Sequence, residues 1–153
     1  MSDDLTALET WAEPLLARLS PGERRALSMT MGREIRRSQH ARVQAQLDAD
    51  GRQFVPRKAL RDQAGRIRRQ RDGKLFRQLT KADYLRVQAT PDGVAVGFFG
   101  RVARIALVHQ EGLVDQVKPG GPSVRYERRK LLGFTPEDRE RMRDLLLQHL
   151  SAR

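Results

Sequence analysis

The chain has no cysteine, which removes disulfides, thiolate chemistry and cysteine-based zinc sites, and fits a reducing cytoplasm. Long apolar runs are missing as well. Nothing approaches the roughly 20 residues that cross a bilayer, and the start, Met1-Ser-Asp-Asp-Leu, is acidic where a secretory signal is basic. These absences predict a soluble chain with no export signal and no membrane partner. Aromatic residues make up 5% of the sequence, too few near its basic regions to build the stacking platform of a single-strand nucleic-acid binder. Histidine is scarce, and His40, His109 and His149 lie too far apart for two to share a helical turn as a zinc pair does. Gly97, Gly100, Gly120 and Gly121 match neither a phosphate loop nor a dinucleotide fingerprint. No metal and no cofactor is expected.

Positive charge is what the chain has in excess. The net charge is +11 over 153 residues, with 25 Arg against 5 Lys. The sign suggests acidic partners, nucleic acid or an acidic protein surface. The Arg bias has two readings: bidentate recognition of phosphate or carboxylate, or a GC-rich genome that encodes Arg in preference to Lys. Charge is concentrated between Arg52 and Arg71, where Arg52, Arg57, Lys58, Arg61, Arg66, Arg68, Arg69 and Arg71 face the single acid Asp62. With Pro56, Gly65 and few core-type residues, 51–73 reads as a long mobile basic loop, a candidate partner or DNA contact that also includes Phe54.

The length suits one domain, with 1–47 as a helical hairpin and 74–153 as the α+β core. Leu5, Leu8, Trp11, Ala12, Leu15, Leu16 and Leu19 predict an amphipathic helix from about Asp4 to Leu19, kinked or restarted at Pro14. Ser20-Pro21-Gly22-Glu23 is a capping box that starts a second helix running to about Leu47. Its thin stripe of Leu27, Met31, Ile35, Val43 and Leu47 suits pairing with one other helix. Asp48-Ala49-Asp50-Gly51 is a turn, because an EF-hand would need ligands where Arg52 and Ala59 stand. A short helical piece is expected over Lys74 to Leu79.

Period-two alternation then gives a β-hairpin: Leu85, Val87 and Ala89, the turn Pro91-Asp92-Gly93, then Val94, Val96 and Phe98. Arg101 to Glu111 reads as a largely buried helix ended by Gly112, although periodicity alone also allows a strand. A second hairpin is expected from Val114 to Val117 and Ser123 to Glu127 around a flexible tip, Lys118-Pro119-Gly120-Gly121-Pro122. Thr135-Pro136-Glu137-Asp138 caps a last helix whose buried face is Met142, Leu145, Leu146, His149 and Leu150. The order is ααββαββα, an α+β fold with a central helix and a C-terminal helix packed on a small antiparallel sheet of two hairpins.

Catalysis finds little support. His109-Gln110-Glu111-Gly112 sets an imidazole beside a carboxylate at a helix end, but no nucleophile or paired carboxylate accompanies it. His40 and His149 read as structural. A non-enzymatic chain is expected, and no helix-turn-helix or RNP pattern offers base readout.

The sequence resembles the tail completion, or virion morphogenesis, proteins of contractile-tailed bacteriophages. The likeness runs through Arg33 to Gln39, Asp50-Gly51 with Phe54-Val55-Pro56-Arg57-Lys58, Gly100 to Ile105 leading to His109-Gln110-Glu111-Gly112, and Leu131-Leu132-Gly133-Phe134. It implies a structural subunit at the head-proximal end of the tail, a terminator or tail-to-head joining protein forming a hexameric ring. It also implies tail tube, sheath and head-neck partners, synthesis in the bacterial cytoplasm and a final place in the virion. Gly51, Pro56, His109, Gln110, Gly112, Leu132 and Gly133 are then expected to be structural, and the basic loop a docking arm ordered on assembly. A basic module binding nucleic acid non-specifically, without a ring, is the alternative.

Overall fold

The computed structural model describes residues 2–58, 64 and 73–152. Its elements are α1 (Ser2–Leu16), α2 (Pro21–Gln44), β1 (Leu85–Thr90), β2 (Gly93–Phe98), a 3-10 turn (Gly100–Val102), α3 (Ala103–Glu111), β3 (Val114–Gln116), β4 (Ser123–Arg125) and α4 (Pro136–Ser151). The α+β class and the ααββαββα order are as the sequence predicts. Both predicted caps form. Ser20 Oγ accepts from Glu23 N at 3.3 Å while Ser20 N donates to the Glu23 carboxylate at 2.8 Å, and Thr135 and Asp138 repeat the arrangement at 3.1 and 3.0 Å. Each supplies partners for two donors that a helix start leaves unpaired.

β1 and β2 pair antiparallel with Val87 opposite Val96, and β3 and β4 pair with Asp115 opposite Val124. The two hairpins form separate two-stranded sheets rather than the single small sheet expected. A lone hairpin is marginal in water, so the first is covered by α2, which lies across it. The approach is close: a Cβ on Gly32 would sit 2.3 Å from Val87 Cγ1 and 2.6 Å from Val94 Cγ2. α2 thus lies chiefly against the β-hairpin with α4 alongside, while Leu27 and Met31 of its stripe pack with α1 and α4 and Val43 enters the second core.

Two apolar clusters result. Ala12, Leu19, Leu27 and Leu146 join α1, α2 and α4 near the start of α2. Val43, Phe54, Leu75, Phe76, Leu79, Val102, Ala106 and Leu131 form the larger core near its end. At 1.5 Å per residue, Leu27 and Val43 are about 24 Å apart along α2.

Several expectations need correction. α1 stops at Leu16, two residues after Pro14, and does not restart. α2 stops at Gln44, because Gln46 turns left-handed (φ 64°) and Leu47 pairs with Gln53 beyond the Asp48 turn. That turn is closed by Asp48 Oδ1, which accepts from Asp50 N at 2.9 Å and Arg52 N at 2.8 Å, with Gly51 at φ 78°. Lys74 to Leu79 forms turns and no helix. Phe76 sits at φ 63° there. The Gln46 amide takes the backbone of Leu75 instead, donating to its O at 3.0 Å and accepting from its N at 2.5 Å. α3 is only partly buried: Ala106 and Val108 are covered, while Ile105 and Leu107 are exposed.

Candidate functional site

The sequence offered two sets of candidate residues, and the structure gives them different settings. Arg61, Arg66, Arg68, Arg69 and Arg71 lie outside the described residues. The start of the basic stretch is anchored. Phe54 is buried in the core, its ring 5.6 Å from Phe76 in an edge-to-face contact. The next two carbonyls, of Val55 and Pro56, accept from Arg129 Nε at 2.7 Å and Nη2 at 3.1 Å. Phe54 is thus covered in the subunit, while Arg52, Arg57 and Lys58 are exposed.

The second set lies in and around the irregular segment after β4. Two glutamines treat its backbone as a strand would. Gln110 Nε2 donates to Leu132 O at 3.0 Å and Gln110 Oε1 accepts from Leu132 N at 2.9 Å. Gln39 does the same at Gly133, donating at 2.8 Å and accepting at 3.2 Å. Arg42 adds hydrogen bonds to Gln39 Oε1, to Leu131 O at 3.3 Å and to Gly133 O at 3.2 Å. Backbone groups near the core need such partners. Leu131 itself is fully buried. A Cβ on Gly133 would lie 2.6 Å from Ala49 Cβ, so the segment passes too close for a side chain. Gly112 ends α3 in the left-handed conformation (φ 66°), and a Cβ there would press on the Arg128 backbone at 3.2 and 3.3 Å. Arg42, Gln39 and Arg129 carried no local signal for these long-range roles.

His109 stands where the two sets meet. Its ring is edge-on to Phe76 at 4.8 Å and to Tyr126 at 5.0 Å. Arg129 is 5% exposed, and its Nη1 donates to His109 Nδ1 at 3.1 Å, so the ring is neutral with its proton on Nε2. Burial pushes the imidazole down to about 4, helped by the positive charges of Arg129 and then Arg57. At that value it is a weak base at neutral pH, and its Nδ1 lone pair is occupied. Burial likewise lowers Arg129 and Arg42.

Outside His109 opens a cavity of about 370 Å³. Phe76, Leu79 and Ile105 form its apolar wall, and Arg57, Lys74, Arg77, Gln78 and His109 complete it. Among the described residues, no carboxylate lines it. Such a lining can receive an anion, and among the described residues it holds no nucleophile. No group of three or more His, Asp or Glu side chains that could hold a metal ion occurs among the described residues.

Comparison with known proteins gives a consistent result. The phage virion morphogenesis family matches residues 3–151. Tail completion protein S of Escherichia phage P2 is 37% identical over 139 residues, which cover 89% of this chain and 90% of that protein. No solved structure matches.

Proposed function

The chain belongs to the phage virion morphogenesis family, and from that premise we propose that it is a structural subunit that completes the phage tail and joins it to the head. The near full-length match to a tail completion protein carries this reading. We assign it a non-catalytic role as a ring subunit, a hexamer, that meets tail tube or sheath proteins on one side and head-neck proteins on the other. The residues shared with the family resemblance support it by what they do. Gln110, Gly112, Leu132 and Gly133 hold backbone in place, Pro56 presents its carbonyl to Arg129, and His109 is a neutral acceptor.

In this proposal the basic stretch acts as a docking arm toward acidic partners in the particle. The experiment is complementation of a phage or prophage lacking the gene, read by electron microscopy. Without the protein, filled heads and separate tails should accumulate, and the wild-type chain should restore joined particles. Neutralising Arg66, Arg68, Arg69 and Arg71 together should leave the thermal melt unchanged, because solvated charges contribute little to stability, yet abolish joining. Complete particles in the absence of the chain would overturn the assignment. A strict monomer with tight, salt-sensitive affinity for duplex DNA would favour the nucleic-acid module instead.

A further inference from the structure

Charge is divided unevenly along this chain. Residues 1–16 carry Asp3, Asp4, Glu9 and Glu13 and no Lys or Arg, although the whole chain is +11. On α1, Glu9 and Glu13 are exposed and one helical turn apart, which sets their Cβ atoms about 6 Å from each other. Trp11, 43% exposed, lies two positions from each and so on the other flank of the helix. The cavity beside His109 is the opposite in character: cations Arg57, Lys74 and Arg77 over an apolar wall that includes Ile105, 49% exposed. Glu9, Glu13, Arg57 and Lys74 form no ion pair among the described residues.

These two surfaces cannot satisfy each other within one subunit. α1 packs with Leu27 near the start of α2, and the cavity is built on Phe76 and Leu79, which pack with Val43 near its end. The separation along α2 is about 24 Å, well beyond the roughly 8 Å screening length at physiological salt. Complementary patches at opposite ends of one molecule make a heterologous, head-to-tail contact, which closes into a ring when the rotation between copies permits.

We infer that α1 of one copy docks against the basic cavity of the next, with Glu9 and Glu13 meeting Arg57, Lys74 and Arg77. The occupant is a second copy of this chain. The inference gives a structural basis to the ring in the function proposed above and rests on that reading for its biological setting, while the contact itself rests on charge and position.

The test is a charge swap on the full chain. One variant carries Glu9→Lys and Glu13→Lys, the other Arg57→Glu and Lys74→Glu. All four positions are exposed, so both variants should melt like the wild type, and circular dichroism verifies this. Sedimentation velocity at low and moderate salt should show the wild type associating, more weakly as salt rises. Each variant alone should associate about tenfold more weakly or worse, because like charges now face one another. Mixed in equal amounts, the two should recover association, since each reversed face finds a reversed partner. Wild-type rings that form unchanged in both variants, or a mixture that fails to recover, would overturn this contact while leaving the ring intact. A wild type that is monomeric at all concentrations would overturn the contact and the ring together. Failure of the wild-type chain to restore phage joining despite normal rings would instead count against the proposed function.

Discussion

Acidification should destabilise this protein through His109, and the size of the effect follows from the site. The unfolded imidazole has a pKa of 6.5 and the folded one about 4. A group whose pKa falls on folding binds more protons when unfolded, so its contribution is complete above about 6.5 and is lost as the pH falls toward 4. Between about pH 7 and pH 5 the loss is about 2 kcal/mol, an upper figure because the ring is only half-buried. For a domain of this length that is a fall of roughly 4–8 °C in Tm. The structural cause is specific: a proton on Nδ1 would point at Arg129 Nη1, which donates to it at 3.1 Å, and would add a positive charge beside Arg129 and Arg57. His109→Asn keeps an acceptor near Nδ1 and removes the titration. Its baseline stability should drop by about 1–3 kcal/mol from the lost ring contacts with Phe76 and Tyr126. Its melting temperature should then change far less between the two pH values than the wild type's. Urea titrations of both proteins across this range give the difference directly. Parallel pH profiles for the two proteins would refute the buried, Arg129-bound imidazole.

Other consequences are local and separable. Gly112→Ala should cost about 1–3 kcal/mol in urea denaturation, because a left-handed φ and a Cβ against Arg128 oppose it together. Gly32→Ala should destabilise by a similar amount, about 1–3 kcal/mol, through overpacking on Val87 and Val94. Adding Val87→Ala should return part of that loss, and a double-mutant cycle with no coupling would contradict the close crossing of α2 over the hairpin. Gln110→Ala should cost about 2–3 kcal/mol by leaving both Leu132 backbone groups without their partner, measured by denaturant midpoint. Gln110→Glu keeps the acceptor for Leu132 N and loses only the donor, so thermal melting should place it between the two.

What could be read in the sequence was what local chemistry decides. The starts of α2 and α4 were legible because Ser20 with Glu23, and Thr135 with Asp138, close within three residues. β1 and β2 were legible from alternation, and the end of α3 from one glycine. The turn at Lys74 to Leu79 was not, because its backbone is taken by Gln46, 29 residues earlier. Leu131 to Gly133 depends on Gln110 and on Gln39, and Gln39 is 94 residues away from Gly133. A glutamine that replaces a missing strand looks in sequence like any polar residue. The candidate surface was half visible. Arg57 falls in the basic run, but Lys74 and Arg77 lie past its end, and Ile105 sits in a segment apolar nearly all round, whose exposed side no periodicity reveals.

The arginine excess gains a third source from these contacts, besides acidic partners and codon usage. Arg36 Nε donates to Leu85 O at 2.6 Å, Arg125 Nη1 to Gly112 O at 3.3 Å and Arg128 Nε to Gln110 O at 3.3 Å, while Arg42 and Arg129 each hold two carbonyls. A guanidinium suits this work because its rigid fork offers several donors in one plane and stays charged when partly buried, whereas a lysine presents a single, strongly hydrated point. Carbonyls carry no net charge, so each such clamp stabilises irregular backbone without neutralising the cation that makes it. The fold therefore retains its positive charge as a consequence of how it is held together. Copies of such a protein repel one another everywhere except where an acidic surface faces a basic one, and the outer face of α1, with Glu9 and Glu13, supplies that surface. Under the head-to-tail contact inferred above, copies held apart by default and complementary at one orientation have a reason to meet there and little reason to aggregate.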